Sequence, residues 1–230
     1  MDNQNTLLID ASDVERASFY RKTYLHVAMA ILAFMVVETI LMNLISPAFV
    51  ISLFFANKLV WFLVLGLFWL GSVVSDRLTF HPSKQQQYLG LGFYVLLEAV
   101  IFLPLLTIAW AYTGGGDMIV QAAGITLFMF GGLTAVVFIT KADFSFLRSI
   151  LIIGGAVAMG VILMGMIFGW NLGLWFSTAM VILAVTSIMY QTHQLRKGYG
   201  TDQYVGAALR LFSSIMLLFW YVLQILMSRK

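Results

Sequence analysis

Residues 88–112 read YLGLGFYVLLEAVIFLPLLTIAWAY, an apolar run interrupted by one ionisable carboxyl, Glu98. A helix needs roughly 20 mostly apolar residues to cross the hydrocarbon core of a bilayer, so this stretch reads as a span. The same pattern recurs six more times, at 24–46, 59–74, 120–140, 150–168, 172–190 and 205–227. Of the 230 residues, 61% are apolar and 10% are charged. Soluble domains carry about 45–50% apolar and about 25% charged residues. With a mean hydropathy of +0.95, the chain has too little polar surface to stay in water. A disordered chain and an ordinary soluble globule are both excluded. The expected class is all-α, a polytopic membrane protein with seven transmembrane helices. Its parts are a cytoplasmic N-terminal tail at 1–22 and a seven-helix domain at 23–230.

Cysteine is absent, which removes disulfides and thiolate chemistry. The first twenty residues are polar and mixed in charge, so no cleavable signal peptide is expected. Short polar breaks separate the spans. Ser46-Pro47 closes the first, and His81-Pro82-Ser83-Lys84 precedes the third. Gly114-Gly115-Gly116-Asp117 precedes the fourth. Gly169-Trp170-Asn171 is the tightest break, so the fifth and sixth spans must form an antiparallel pair. Small residues at helical spacing, such as Gly131 with Ala135 and Ala156 with Gly160, are expected where helix backbones approach closely.

Basic residues orient the chain. Arg16, Arg21, Lys22, Arg77, Lys84, Lys141, Arg148, Arg196 and Lys197 fall on one face, and Lys58, Arg229 and Lys230 on the other. Nine against three places the N-terminus in the cytoplasm and, after seven crossings, the C-terminus outside. The same bias accounts for the basic pI, and no nucleic-acid partner is expected.

Ionisable groups immersed in lipid are the default functional candidates, because a charge there costs several kcal/mol. Glu98 lies mid-way along the third span and Glu38 a little past the middle of the first. Arg210 lies within the seventh. Each carboxyl is either a protonated structural group or part of an ion pathway, with Pro104 freeing a backbone carbonyl near Glu98. Arg210 either snorkels to the surface or pairs with a carboxylate. His26 reads as an interfacial residue. Nucleophile elbows, zinc-binding helices and phosphate-binding loops are all missing, so no catalytic, cofactor or metal site is expected.

Several of these segments resemble one family. The run QAAGITLFMFGGLTAVVFITKADFSFLRSIL, and within it Lys141-Ala142-Asp143-Phe144-Ser145-Phe146-Leu147, resembles the fourth span and following loop of the Bax inhibitor-1 family in its bacterial branch. LLEAVIFLPLL resembles the family's third span, Tyr190-Gln191-Thr192-His193 the end of its sixth, and Ala207 to Ser214 the start of its last. The resemblance implies six helices around a central seventh. It also implies a pH-sensitive calcium leak in some members, and stress survival or membrane proteolysis in others. The family's sensor is a pair of aspartates with an arginine latch. At those positions this chain has Gln191 and Ser214, and Arg77 is the nearest match to the latch. A neutral amide and hydroxyl neither titrate near neutral pH nor supply the carboxylate charge that calcium favours.

Two functions follow as expectations. One is a regulatory or stress-related protein of a bacterial inner membrane, acting through contacts with other membrane proteins such as a membrane protease. The other is a pH-dependent calcium or proton leak through Glu98 or Glu38. In both, the lipid bilayer is the medium.

Overall fold

The computed structural model describes residues 7–55, 58–140 and 142–228. Lys141, Arg229 and Lys230, used above for orientation, lie outside these described residues. So do residues 1–6 of the expected tail. The described residues form eight helices: α1 Asp13–Leu44, α2 Pro47–Phe55, α3 Lys58–Thr79, α4 Lys84–Thr113, α5 Asp117–Thr140, α6 Leu147–Phe168, α7 Gly173–Gln194 and α8 Tyr204–Met227. All except α2 are long and apolar enough to cross a membrane, seven in number as expected.

Two elements differ from the sequence reading. Helix α1 spans 32 residues and starts within the segment expected as a tail. At about 1.5 Å per residue it is about 48 Å long, well beyond a hydrocarbon core of about 30 Å. Its start is fixed by a capping box. The Ser12 hydroxyl accepts from the Glu15 amide at 3.3 Å, and the Glu15 carboxylate accepts from the Ser12 amide at 2.9 Å. The second difference is α2, a nine-residue helix between the first and second spans that is additional to the seven expected. Pro47 sits in its first turn, where the missing N–H costs nothing. The helix is too short to span. It buries Val50 and Phe54 against Leu103, and the Phe54 and Trp61 rings lie 5.4 Å apart.

The chain divides into two compact units. One comprises residues up to Thr107 together with Leu195–Phe212, the other Ile108–Gln194 together with residues from Ser213 onward. In the first, glycines admit close approach. A Cβ at Gly90 would lie 2.8 Å from Leu78 Cβ and 2.9 Å from the Ser75 carbonyl oxygen. In the second, α7 packs against both α5 and α6, which bears out the antiparallel pairing of the fifth and sixth spans. Gly169 ends α6 in the left-handed region at φ 71°, a conformation glycine adopts without strain.

The small-residue pairs correct an expectation. Gly131, Ala135, Ala156 and Gly160 are exposed, and a Cβ at Gly131 or Gly160 would meet nothing within 4 Å. Those faces carry no neighbouring helix of this chain among the described residues. Close contacts instead form at Gly71, Gly90, Gly154 and Gly206, each against a bulky partner.

Burial is uneven. The apolar windows of α4 and α8 are each 61% buried, whereas those of the other five spans are 11–28% buried. From Val205 to Leu223 every residue of α8 is buried except Arg210, Ser213, Leu217 and Trp220, which are half-buried and share one side of the helix.

Candidate functional site

Arg210 forms an ion pair in the first unit. Its guanidinium donates from Nε to Asp76 Oδ1 at 3.2 Å and from Nη2 to Asp76 Oδ2 at 3.3 Å. Asp76 sits in the last turn of α3, and Arg210 in the second turn of α8. The guanidinium also lies 4.7 Å from the centre of the Phe80 ring and hydrogen-bonds Tyr199. Tyr199 is buried, stacks on Phe80 at 6.1 Å, and receives the Leu8 amide on its carbonyl at 3.0 Å. A two-point pair of this kind fixes orientation as well as charge. Arg77, the expected latch, is exposed. Its neighbour Asp76 makes the contact and was missed, because it reads as an ordinary helix-end charge.

A second polar cluster surrounds Tyr204. The His26 ring lies within hydrogen-bond distance of the Lys22 carbonyl at 2.7 Å and the Tyr88 hydroxyl at 3.2 Å. The ammonium groups of Lys22 and Lys84 lie 5.3 Å and 4.2 Å from the Tyr204 ring centre. Lys84 also donates to the Asp202 carbonyl and to Gln87. His26 is therefore a buried member of a network that joins α1, α4 and the start of α8.

The two intramembrane carboxyls differ in environment. Glu98 is buried in the stripe of α4 that includes Tyr94, Val95, Ala99 and Phe102, and it hydrogen-bonds the Tyr94 side chain one turn away. The neighbours of Pro104 are buried and apolar: Leu103, Leu105 and Leu106. Glu38 is equally buried, with 4% of its surface exposed, and neither of its carboxyl oxygens has a hydrogen-bond partner among the described residues.

Gln191 and Ser214, which the resemblance puts at the sensor positions, lie in the second unit. The Ser214 hydroxyl on α8 shares a hydrogen bond with the Ser187 hydroxyl on α7 at 2.8 Å. Gln191 lies one turn beyond Ser187, and its carbonyl oxygen is buried without a partner among the described residues. Nearby, His193 Nε2 is 3.2 Å from Asp143 Oδ1, which ties the end of α7 to the loop before α6. Asp143 was quoted as part of a motif, but its partner is 50 residues away and carries no sequence signal. Among the described residues, no group of three or more His, Asp or Glu side chains is placed to hold a metal ion.

These features define a multi-pass, all-helical membrane protein with a few polar contacts set into an apolar interior. The family model described as "Inhibitor of apoptosis-promoting Bax1" matches residues 16–230, and the chain belongs to the Bax inhibitor-1 family. It is 34% identical over 123 residues to an uncharacterized protein of Pseudomonas aeruginosa, covering 53% of this chain and 55% of that one. It is 30% identical over 124 residues to an uncharacterized membrane protein of Vibrio cholerae, covering 54% and 55%. With Bax inhibitor 1 of Schizosaccharomyces pombe it shares 29% identity over 221 residues, 92% of this chain and 76% of that one. The chain spans little more than half the length of the two bacterial relatives, 55% of each.

Proposed function

We propose that this is a regulatory membrane protein of a bacterial inner membrane that acts through contacts with other membrane proteins, in a stress-related role. It performs no catalytic step and carries no sustained calcium flux. The observation that carries this reading is the neutral contact between Ser187 and Ser214, at 2.8 Å. It stands where the family resemblance puts a titratable carboxylate. Calcium takes six to eight oxygen ligands and favours carboxylate charge. Two hydroxyls that share a hydrogen bond, one turn from a neutral amide at Gln191, supply no carboxylate charge. The basic residues of the tail and alternate connections support a cytoplasmic N-terminus.

A second reading rests on Glu38. A buried carboxyl without an internal partner is a feature of proton pathways. In this reading the protein is a pH-dependent proton or calcium leak that uses Glu38 or Glu98.

Purified protein in liposomes separates the two. Following proton and calcium entry against pH, the regulatory reading expects entry no faster than into protein-free liposomes. Entry that rises with pH change and disappears in Glu38→Gln or Glu98→Gln would establish the leak.

A further inference from the structure

Of the two immersed carboxyls Glu38 and Glu98, it is Glu38 whose oxygens both lack a partner among the described residues, in contrast to Glu98 with Tyr94. Its surroundings explain why. One turn before it, Phe34 meets Phe102 edge to face at 5.3 Å. One turn after it, Leu41 and Met42 pack against the cluster of Val50, Phe54 and Leu103. The polar side chains nearest in sequence are turned inward on their own helix. The Thr39 hydroxyl donates to the Met35 carbonyl at 2.7 Å, and the Asn43 amide donates to the Thr39 carbonyl at 2.7 Å. No cation among the described residues contacts it. An ionised carboxylate left so would carry its full desolvation cost, so the carboxyl holds its proton. On the same helix Met35, Val36, Thr39 and Ile40 are exposed, and a span this apolar presents such residues to lipid.

We propose that Glu38 is an intramembrane proton-binding site, reached through lipid, whose selective covalent ligand is a lipophilic carbodiimide. The chemistry needs a protonated carboxyl in a dry setting. The carboxyl O–H adds across one C=N bond of the carbodiimide: the carboxyl oxygen bonds to the central carbon and the proton goes to nitrogen. The acyl group then migrates from that oxygen to nitrogen, giving a stable N-acylurea. Nothing leaves and no redox partner is needed. The site exists whether or not the protein conducts, so this inference is independent of the flux readings above.

The test is mass spectrometry of the full chain in proteoliposomes treated with dicyclohexylcarbodiimide, followed by peptide mapping. The expected result is one adduct per chain, mapped to residue 38, absent in Glu38→Gln and retained in Glu98→Gln. A water-soluble carbodiimide with an amine nucleophile should modify the exposed Asp13 and Glu15 and leave residue 38 untouched. An adduct at residue 98 with none at 38 would overturn the assignment. So would no adduct on wild-type protein that migrates as a folded species, or equal labelling of residue 38 by the water-soluble reagent. Because the wild-type chain alone decides the outcome, instability of a variant does not obscure it.

Discussion

Arg210 and Asp76 are 134 residues apart in sequence and meet through two contacts of 3.2 and 3.3 Å. The guanidinium does more than pair. It covers the Phe80 ring and reaches Tyr199, so one side chain ties α8 to the end of α3 and to the segment that enters α8.

Loss of the pair has a graded cost. The two side chains are 42% and 44% exposed, so solvent screens their attraction, and Asp76→Asn should cost about 1 kcal/mol. Arg210→Ala should cost more, because it also removes the Phe80 stack. Arg210→Lys should fall between, as an ammonium cannot match the planar two-point geometry. Thermal unfolding in detergent micelles ranks the three variants, and a double-mutant cycle isolates the pair.

Gly206 is a packing position rather than a flexible one. A Cβ there would lie 2.6 Å from the Phe80 ring, the same ring that supports Arg210. Gly206→Ala should therefore destabilise by about 1–3 kcal/mol, the range for overpacking. Gly131→Ala is the control: with nothing within 4 Å of the added methyl, its melting temperature should equal that of wild type or exceed it slightly.

The segment before α1 is anchored by Leu8, which is fully buried and whose amide donates to the Tyr199 carbonyl at 3.0 Å. Leu8→Ala should loosen this strap at a cost of about 2 kcal/mol. Limited proteolysis should then cut ahead of Asp13 faster than in wild type, with the helical core left intact.

The contact at Ser214 is neutral and buried. Ser214→Ala leaves the Ser187 hydroxyl without that partner and should cost about 1 kcal/mol. Helical circular dichroism should be unchanged while the unfolding midpoint falls by a few degrees.

The spans were legible because lipid imposes a plain rule: every backbone polar group must be satisfied within the segment, so only long apolar helices cross. The immersed groups were legible for the same reason. Glu38, Glu98 and Arg210 stand out against apolar neighbours. Their partners were not equally visible. Tyr94 lies four residues before Glu98 on the same helix, a spacing that could have been read. Asp76 sits where a helix end ordinarily carries solvated charge, and only the folded chain brings it to Arg210. Helix α2 was hidden by length, since PAFVISLFF is too short to cross and has no polar face. The pairs at Gly131 and Ala156 show the reverse error. Small residues permit close packing, but they do not say whether the chain itself supplies the partner.

In the proposed function a neutral amide and hydroxyl, Gln191 and Ser214, stand where the resemblance puts a titratable pair, and the protein carries no calcium flux in consequence. Calcium entry into dye-loaded proteoliposomes, measured for wild type and for the double variant Gln191→Asp/Ser214→Asp, tests it most directly. The account expects wild type to match protein-free liposomes and the double variant to gain pH-dependent entry. Rapid calcium entry through wild type, unchanged in the double variant, would contradict it.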